Sequence, residues 1–196
     1  MINRHIMVDL ETMDTEDSAA ILTIGAVCFD PRGKDTEESM RNKLDEGHGF
    51  SIRCSLESNM VLGRTVSAGT IMWWMNQSES ARDALVNGKQ YPVGMALSNF
   101  RQWLTALKPK ATRVWAKDPD FDCNILVHAM KMTHEIWPFH FADNRSVRTI
   151  MDLAYPDGDC PRIGEGVAHD AYDDAVMQAL VVQHCHHVLE GRMAGI

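Results

Sequence analysis

Near its start, the sequence has a strand-like stretch that ends in two acidic residues. Residues 5–12 read His-Ile-Met-Val-Asp-Leu-Glu-Thr, and the β-branched, apolar Ile6 and Val8 are typical of a central strand. Side chains two residues apart along a strand point to the same side, so Asp9 and Glu11 should lie next to each other. A divalent cation that prefers oxygen ligands, Mg²⁺ or Mn²⁺, would offset their repulsion. The alternative is a solvated strand end with two unrelated acids.

Length and composition favour one globular domain over residues 1–196. The hydrophobic fraction of 45% and the charged fraction of 23% are ordinary for a globular chain. No apolar run approaches the ~20 residues that cross a bilayer, and the N-terminus lacks a signal-peptide pattern. We therefore expect a cytoplasmic protein with no membrane partner. The net charge of −8 disfavours a broad duplex-binding surface, so a nucleic-acid partner would have to be held locally, by metal ions and a few cationic side chains.

The hydrophobic pattern predicts three strands followed by alternating helices and strands. The apolar run over residues 20–29 should pair antiparallel with the first strand because the link is short, and residues 49–56 should extend the meander. Residues 30–49 are charged, and we interpret them as a long loop insertion with a short helix over residues 36–44. The later predictions are helices over 70–76 (capped by Thr70), 78–87, 93–107, 121–133, 149–154 and 170–189, a strand over 112–116, an edge segment over 137–139 and a loop over 155–166. This order indicates an α/β fold, in which a mixed sheet of an antiparallel meander plus parallel strands has helices on both faces.

Two further acidic clusters could reach the first carboxylate pair. Residues 118–122 read Asp-Pro-Asp-Phe-Asp and lie between the fourth strand and its helix, a place that favours ligand sites in α/β proteins. Asp122 would lie just inside the helix, where the helix dipole favours a carboxylate, although these aspartates also suit caps and turns. Residues 169–174 read His-Asp-Ala-Tyr-Asp-Asp. If Asp170 caps the last helix, His169 lies outside it and Asp174 lies one turn inside, so both could face one site.

Taken together, these residues resemble the DEDDh exonucleases. The pattern consists of Asp9-x-Glu11, then Phe121-Asp122, then His169 with Asp174 five residues later. The resemblance favours Asp122 over Asp118 and Asp120, because it follows Phe121. It favours Asp174 over Asp173, because of the five-residue offset. It implies the ribonuclease H-like fold and 3′-to-5′ cleavage of single strands with two metal ions.

A narrower branch of this family is similar over residues 6–179. That branch holds the mycobacterial 3′–5′ exoribonuclease-like proteins and the phage exonuclease A type. The segments that carry the similarity are residues 8–12, 20–29, 73–78 (with Trp73-Trp74 before Gln77-Ser78) and 121–126.

The resemblance implies a role for each candidate residue. Two Mg²⁺ or Mn²⁺ ions would be held by Asp9, Glu11, Asp122 and Asp174. His169 would accept the proton of the attacking water, since imidazoles titrate near neutral pH. The substrate would be the 3′ end of single-stranded RNA or DNA, and the product a nucleoside 5′-monophosphate. The candidate substrate-binding residues are Leu10, Thr12, Lys117 and Arg148. Trp73 and Trp74 could stack a base, but adjacent tryptophans are more typical of a core.

Several alternatives stay open on the sequence alone. The fold could carry an inactive single-strand-binding module, or a phosphodiesterase that acts on very short oligonucleotides. The run His184-Cys185-His186-His187 suggests a metal site, but no further ligand lies nearby and a solvated helix end is favoured. RNA and DNA are not distinguished, because the difference depends on contacts to the 2′-hydroxyl. A homodimer is compatible with the sequence.

Overall fold

The computed structural model describes residues 4–194, and it shows the predicted mixed sheet with helices on both faces. The strands are β1 (His5–Thr12), β2 (Ile21–Phe29), β3 (Gly49–Cys54), β4 (Gln90–Tyr91), β5 (Arg113–Ala116) and β6 (Asn144–Ser146). The helices are α1 (Glu37–Asn42), α2 (Leu56–Val61), α3 (Ala68–Met75), α4 (Glu79–Val86), α5 (Val93–Ala106), α6 (Pro119–Met132), α7 (Val147–Ala154) and α8 (Ala171–Ala194), with a 3-10 turn at Phe141–Asp143. None of these helices is both long enough and apolar enough to span a membrane.

The sheet has the strand order β4-β3-β2-β1-β5-β6. Strands β1, β2 and β3 form the predicted antiparallel meander, and β5 lies parallel to β1 on its other side. Because β1 and β5 run in the same direction, their carboxyl ends lie at one edge of the sheet. The start of α6, which follows β5, therefore lies beside Asp9 and Glu11 at the end of β1.

Side chains of β1 alternate between two hydrophobic cores, one on each face of the sheet. Ile6, Val8 and Leu10 pack in the core that also contains α5 and α6 residues. Met7 packs in the opposite core, against α8. Asp9 and Glu11 continue the Met7 side of the strand, so they emerge where the second core ends and α8 begins.

Gly25 allows α8 to begin directly against the sheet. A Cβ atom built on Gly25 would lie only 2.1 Å from the backbone carbonyl carbon of Ala171, so no other residue fits here without a shift of the helix. Gly25 is the β2 partner of Asp9 in the antiparallel register. The close contact thus brings the first turn of α8 over the carboxylates of β1.

Three local predictions are wrong. Ser67, and not Thr70, caps α3, since its side chain accepts a hydrogen bond of 3.0 Å from the Thr70 N–H. Residues 137–139 form no strand, and β6 is the parallel edge strand instead. Helix α8 continues through Gly191, because one glycine costs a helix only about 1 kcal/mol. The sequence reading also missed the short elements α2 and β4.

The charged segment over residues 30–49 contains α1 within its predicted helical part, and it packs against α8. Gln183 donates from Nε2 to Asp35 Oδ2 at 2.7 Å, and Arg41 forms an ion pair with Asp173. The segment is therefore anchored to the helix that carries Asp174.

Candidate active site

A cleft of about 600 Å³ opens at the carboxyl ends of β1 and β5. Its lining includes all five residues of the predicted acidic pattern, which are Asp9, Glu11, Asp122, His169 and Asp174. The geometry thus joins two residues of the first strand, one of α6 and two at the start of α8. These residues are up to 165 positions apart in the chain, and only the fold brings them together.

Asp9 and Glu11 are presented by the end of β1. Glu11 is 7% exposed, and Asp9 is partly buried. Gln178 donates a hydrogen bond from Nε2 to Asp9 Oδ1 at 2.7 Å. Sequence reasoning missed Gln178, although it lies four residues after Asp174 and therefore on the same face of α8.

Asp122 is held against β1 by the start of α6. Pro119 stands in the first turn, which suits its fixed φ, and Asp122 lies in the same turn. The backbone N–H of Leu10 donates to Asp122 Oδ1 at 3.1 Å, so α6 and β1 are fixed to each other between the two β1 carboxylates. Asp122 is 4% exposed, whereas Asp120 is exposed and lies outside the cleft lining.

His169 and Asp174 are fixed by the cap of α8. Asp170 Oδ1 accepts hydrogen bonds of 3.1 Å from the N–H groups of Tyr172 and Asp173, as expected for an N-cap. His169 precedes the helix with a φ of 66°, and its backbone N–H donates to Asp174 Oδ2 at 3.0 Å.

The same cap separates Asp173 from Asp174. The Asp173 carboxylate forms an ion pair with Arg41 and accepts a hydrogen bond from the Val167 N–H. It therefore lies outside the cleft lining, bound to other residues. Glu11, His169 and Asp174 each offer a ligand atom, and the three atoms lie within 4.8 Å of one another.

A second cavity, of about 410 Å³, adjoins the cleft and shares Leu10, Glu11 and Phe121 with it. Its other walls come from the end of β1 and the segment that follows it (Thr12, Asp14 and Thr15) and from α3 (Gly69, Thr70, Trp73 and Trp74). Trp74 is buried as expected for core, but Trp73 is 45% exposed. Leu10 and Thr12, predicted to contact substrate, therefore line this cavity.

Burial of the carboxylates shifts their protonation strongly. Burial, followed by the charges of Asp174 and Asp122, raises the pKa of Glu11 to about 8. Burial raises the pKa of Asp122 to about 7, against the opposing hydrogen bond from Leu10. The pKa of Asp9 is raised well above its ordinary value by burial and by the neighbouring carboxylates. Burial also raises the pKa of Asp174.

These four carboxylates suit divalent cations. In the described chain, none of the ion pairs includes Asp9, Glu11, Asp122 or Asp174. Buried, mutually repelling carboxylates without a cationic partner are costly, and hard oxygen donors are the ligands that Mg²⁺ and Mn²⁺ prefer. The donor set therefore fits such ions without any cysteine or other soft ligand.

The two cationic candidates differ in position. Lys117 lines the cleft. Arg148 lies outside the lining, and its Nε donates to both oxygens of Asp118, at 2.8 and 2.7 Å. Sequence reasoning missed Arg162, which lines the cleft from the loop before α8 and could be found only from the fold.

The residues of the run His184-Cys185-His186-His187 make contacts within the fold. Cys185 is buried, and His184 Nε2 contacts the Tyr155 hydroxyl. His187 Nε2 lies 2.9 Å from the Gly33 carbonyl oxygen. Among the described residues, the group that could hold a metal does not include this run. The expectation of a solvated helix end is wrong, because residues 184–187 lie inside α8 and none of them is exposed.

Comparisons with known proteins identify nucleases of similar sequence or fold. An exodeoxyribonuclease of Enterobacteria phage T4 is 25% identical over an alignment of 203 positions, gaps included, which covers 91% of this chain and 87% of the phage protein. The crystal structure of cell-death related nuclease 4 (CRN-4) matches with a TM-score of 0.63 and 19% identity over 95% of this chain, which spans 64% of the CRN-4 chain. The nuclease domain of 3′hExo, a DEDDh family member bound to rAMP, matches with a TM-score of 0.53 and 12% identity, covering 97% of this chain and 94% of that domain.

The family described as the 3′-5′ exoribonuclease Rv2179c-like domain matches residues 4–186, nearly the whole chain. Structural similarity below 25% identity supports the ribonuclease H-like DEDDh fold, and the family match supplies the activity. This chain belongs to the Rv2179c-like 3′-5′ exoribonuclease domain family and is a 3′-5′ exonuclease.

Proposed function

We propose that this chain, as one nuclease domain, removes nucleoside 5′-monophosphates from the 3′ end of single-stranded nucleic acid. The observation that carries the proposal is the convergence of four carboxylates and one imidazole on a single cleft. The proposed metal ligands are Asp9, Glu11, Asp122 and Asp174, which would hold two Mg²⁺ or Mn²⁺ ions. When bound, such ions activate water and offset the negative charge that develops on a phosphodiester.

The carboxylates are prepared for cation binding by their hydrogen bonds. The Leu10 N–H fixes one oxygen of Asp122, and the Gln178 amide fixes one oxygen of Asp9. Both bonds orient the carboxylate that accepts them. Because burial raises the pKa values of the group, binding of a cation would release protons from it.

His169 is the proposed general base. Its position outside α8 leaves the imidazole free of the helix, while its backbone N–H ties it to Asp174. A ligand atom of the imidazole lies within 4.8 Å of ligand atoms on Glu11 and Asp174. The ring can therefore accept a proton from a water molecule held at the carboxylates and pass it to solvent through the open cleft.

The residues that line the two cavities support a strand end as substrate. Lys117 and Arg162 are cations in the cleft lining, and they are the proposed contacts for backbone phosphates. Arg148 would join them only if it left Asp118. Leu10 and Thr12 lie at the second cavity, where they would contact the terminal nucleotide.

The test is a cleavage assay on 5′-labelled single-stranded RNA, single-stranded DNA, a duplex and a dinucleotide, each with Mg²⁺ or with chelator. We expect shortening from the 3′ end with Mg²⁺ only, release of nucleoside 5′-monophosphates, and little action on the duplex. The matched variants are Asp174→Asn, expected to be inactive, and Asp173→Asn, expected to retain activity. Cleavage of the dinucleotide alone would favour the short-oligonucleotide phosphodiesterase, and strand binding without cleavage would contradict the proposal. The cytoplasmic location and the homodimer stay predictions, to be tested by fractionation and by light scattering.

A further inference from the structure

Three aromatic rings meet beside the acidic centre. The His169 ring lies edge-to-face with Trp73, with centroids 4.9 Å apart and planes at 81°, and with Trp74, at 5.9 Å and 79°. The two tryptophan rings are also edge-to-face, at 4.9 Å and 79°. Such pairs attract because the positive edge of one ring meets the negative face of the other. The rings therefore restrain one another.

Trp74 fixes this group to the strand that carries the carboxylates. The residue is 4% exposed, and its Nε1 donates to the carbonyl oxygen of Thr12 at 2.9 Å. Trp73 differs, because this residue is 45% exposed although it lies in the same helix turn. Hydrophobic burial alone therefore does not explain the position of Trp73.

A nitrogen of the His169 imidazole lies within 4.8 Å of ligand atoms on Glu11 and Asp174. Within residues 4–194 the ring nitrogens of His169 form no hydrogen bond, and only its backbone N–H is used, by Asp174. Proton-accepting histidines are usually oriented by a hydrogen bond from the other ring nitrogen to a third group. Here the two tryptophan rings lie edge-to-face with the imidazole and can restrain its plane.

Trp73 also forms a wall of the second cavity. That cavity reaches Glu11 and is enclosed by Leu10, Phe121 and both tryptophans. A flat, apolar group that enters it would lie against Trp73. Nucleobases have such faces, and stacking on aromatic side chains is a general way to hold single strands.

We propose that Trp73 is a positioning residue, which orients the His169 imidazole towards the carboxylates and links this orientation to a nucleobase in the second cavity. The inference rests on the proposed function, because it assigns the base of the substrate to this cavity. A seated base would restrict the Trp73 ring, and the Trp73 ring would in turn restrict the imidazole. Correct binding of the strand end would then favour the reactive orientation of the base.

The first test observes the imidazole directly in the full chain. The Cε1–H resonance of His169 is assigned by its loss in His169→Asn and then compared in Trp73→Leu, Trp73→Phe and Met72→Leu. Met72 is 57% exposed on the same helix and lines neither cavity, so it serves as the control. Because loss of the indole ring current moves this resonance in any case, the side-chain rotamer of His169 is read from its three-bond Hα–Hβ couplings. We expect averaged rotamers in Trp73→Leu, the wild-type rotamer in Trp73→Phe and no change in Met72→Leu. A wild-type rotamer in Trp73→Leu overturns the proposal.

The second test separates positioning from simple stacking. With Mg²⁺ and single-stranded RNA, Trp73→Leu should lower kcat about two- to tenfold, the range expected for loss of an aromatic pair, and Trp73→Phe should restore it. A raised KM with unchanged kcat would show that Trp73 only stacks the base, and would overturn the proposal. Addition of adenosine 5′-monophosphate should also move the His169 resonance in wild type, and should move it less in Trp73→Leu. Equal movement in the two proteins would refute the proposed link between the bound base and the imidazole. If wild type cleaves nothing, the proposed function fails. The His169 rotamer in the protein without substrate still decides whether Trp73 positions the imidazole.

Discussion

The contact between Gly25 and the start of α8 gives the sharpest prediction for this fold. In Gly25→Ala the new Cβ would lie 2.1 Å from the Ala171 carbonyl carbon, which is about 1.3 Å short of the 3.4 Å at which ordinary contact begins. The clash is with backbone, so no side chain can rotate away. The helix has to move by roughly that distance, and His169 and Asp174 move with it.

This shift of α8 should lower both the stability and the activity. Overpacking of this kind costs about 1–3 kcal/mol in the free energy of unfolding. A displacement of about 1 Å in a catalytic group can cost about 100-fold in rate. We therefore expect Gly25→Ala to fold with reduced stability and to trim a 5′-labelled single strand about 100-fold more slowly. The assays are urea unfolding, followed by tryptophan fluorescence, and initial rates with Mg²⁺.

Gly94→Ala provides the matched control. Gly94 lies in α5, and its new Cβ would meet the Thr133 Cγ2 atom at 3.7 Å, an ordinary contact. Because alanine favours a helix over glycine, this variant should be neutral or more stable by up to about 1 kcal/mol, with full activity. If Gly25→Ala matched it in stability and rate, the close approach of α8 to β2 would not position the site.

Three further predictions address the acidic centre. His169→Asn should lower turnover tenfold or more while calorimetry shows that Mg²⁺ still binds; asparagine is chosen because it tolerates a left-handed backbone. The control is His134→Asn, at a residue with a similar φ of 58°, which should leave turnover unchanged. Wild-type turnover in His169→Asn would show that His169 is not the base. Gln178→Leu should lower the cleavage rate about tenfold, because the hydrogen bond to Asp9 is lost. Gln102→Leu, at an exposed residue, should leave the rate unchanged. A wild-type rate in Gln178→Leu would show that the hydrogen bond is dispensable. Finally, burial raises the pKa of Glu11 from 4.5 to about 8 and that of Asp122 from 3.8 to about 7. Between its unfolded and its folded pKa, each group holds a proton in the folded state that it has lost in the unfolded state. In chelator the free energy of unfolding should fall as pH rises from about 4 to 8, and saturating Mg²⁺ should reduce that fall; a stability that rises with pH in chelator would contradict the burial of these groups.

Short-range rules were sufficient to predict much of the fold and the candidate carboxylates. The alternation of β1 predicted that Asp9 and Glu11 share a side, and the cap at Asp170 predicted the relation of His169 to Asp174. The antiparallel meander followed from a short link between two apolar runs. Each of these inferences needs only neighbouring residues, and the resemblance to a known family then indicated which distant segments belong together.

Contacts between distant segments could not be predicted in this way. The hydrogen bond of Gln178 to Asp9 and the packing of Trp73 on His169 join elements far apart in the chain, and no local pattern marks either. The need for glycine at position 25 arises only because α8 passes over it. The edge strand was misplaced because residues 137–139 are apolar and aromatic, while the actual strand β6 reads Asn-Arg-Ser.

The acidic centre draws on almost the whole chain, and this has a consequence for the order in which the protein is made. Asp9 and Glu11 emerge from the ribosome first, Asp122 much later, and Asp174 only when α8 is being translated. A nascent chain therefore lacks a complete centre until the final helix has docked on β2. On a nascent chain the proposed centre therefore stays incomplete while most of its own synthesis is still under way.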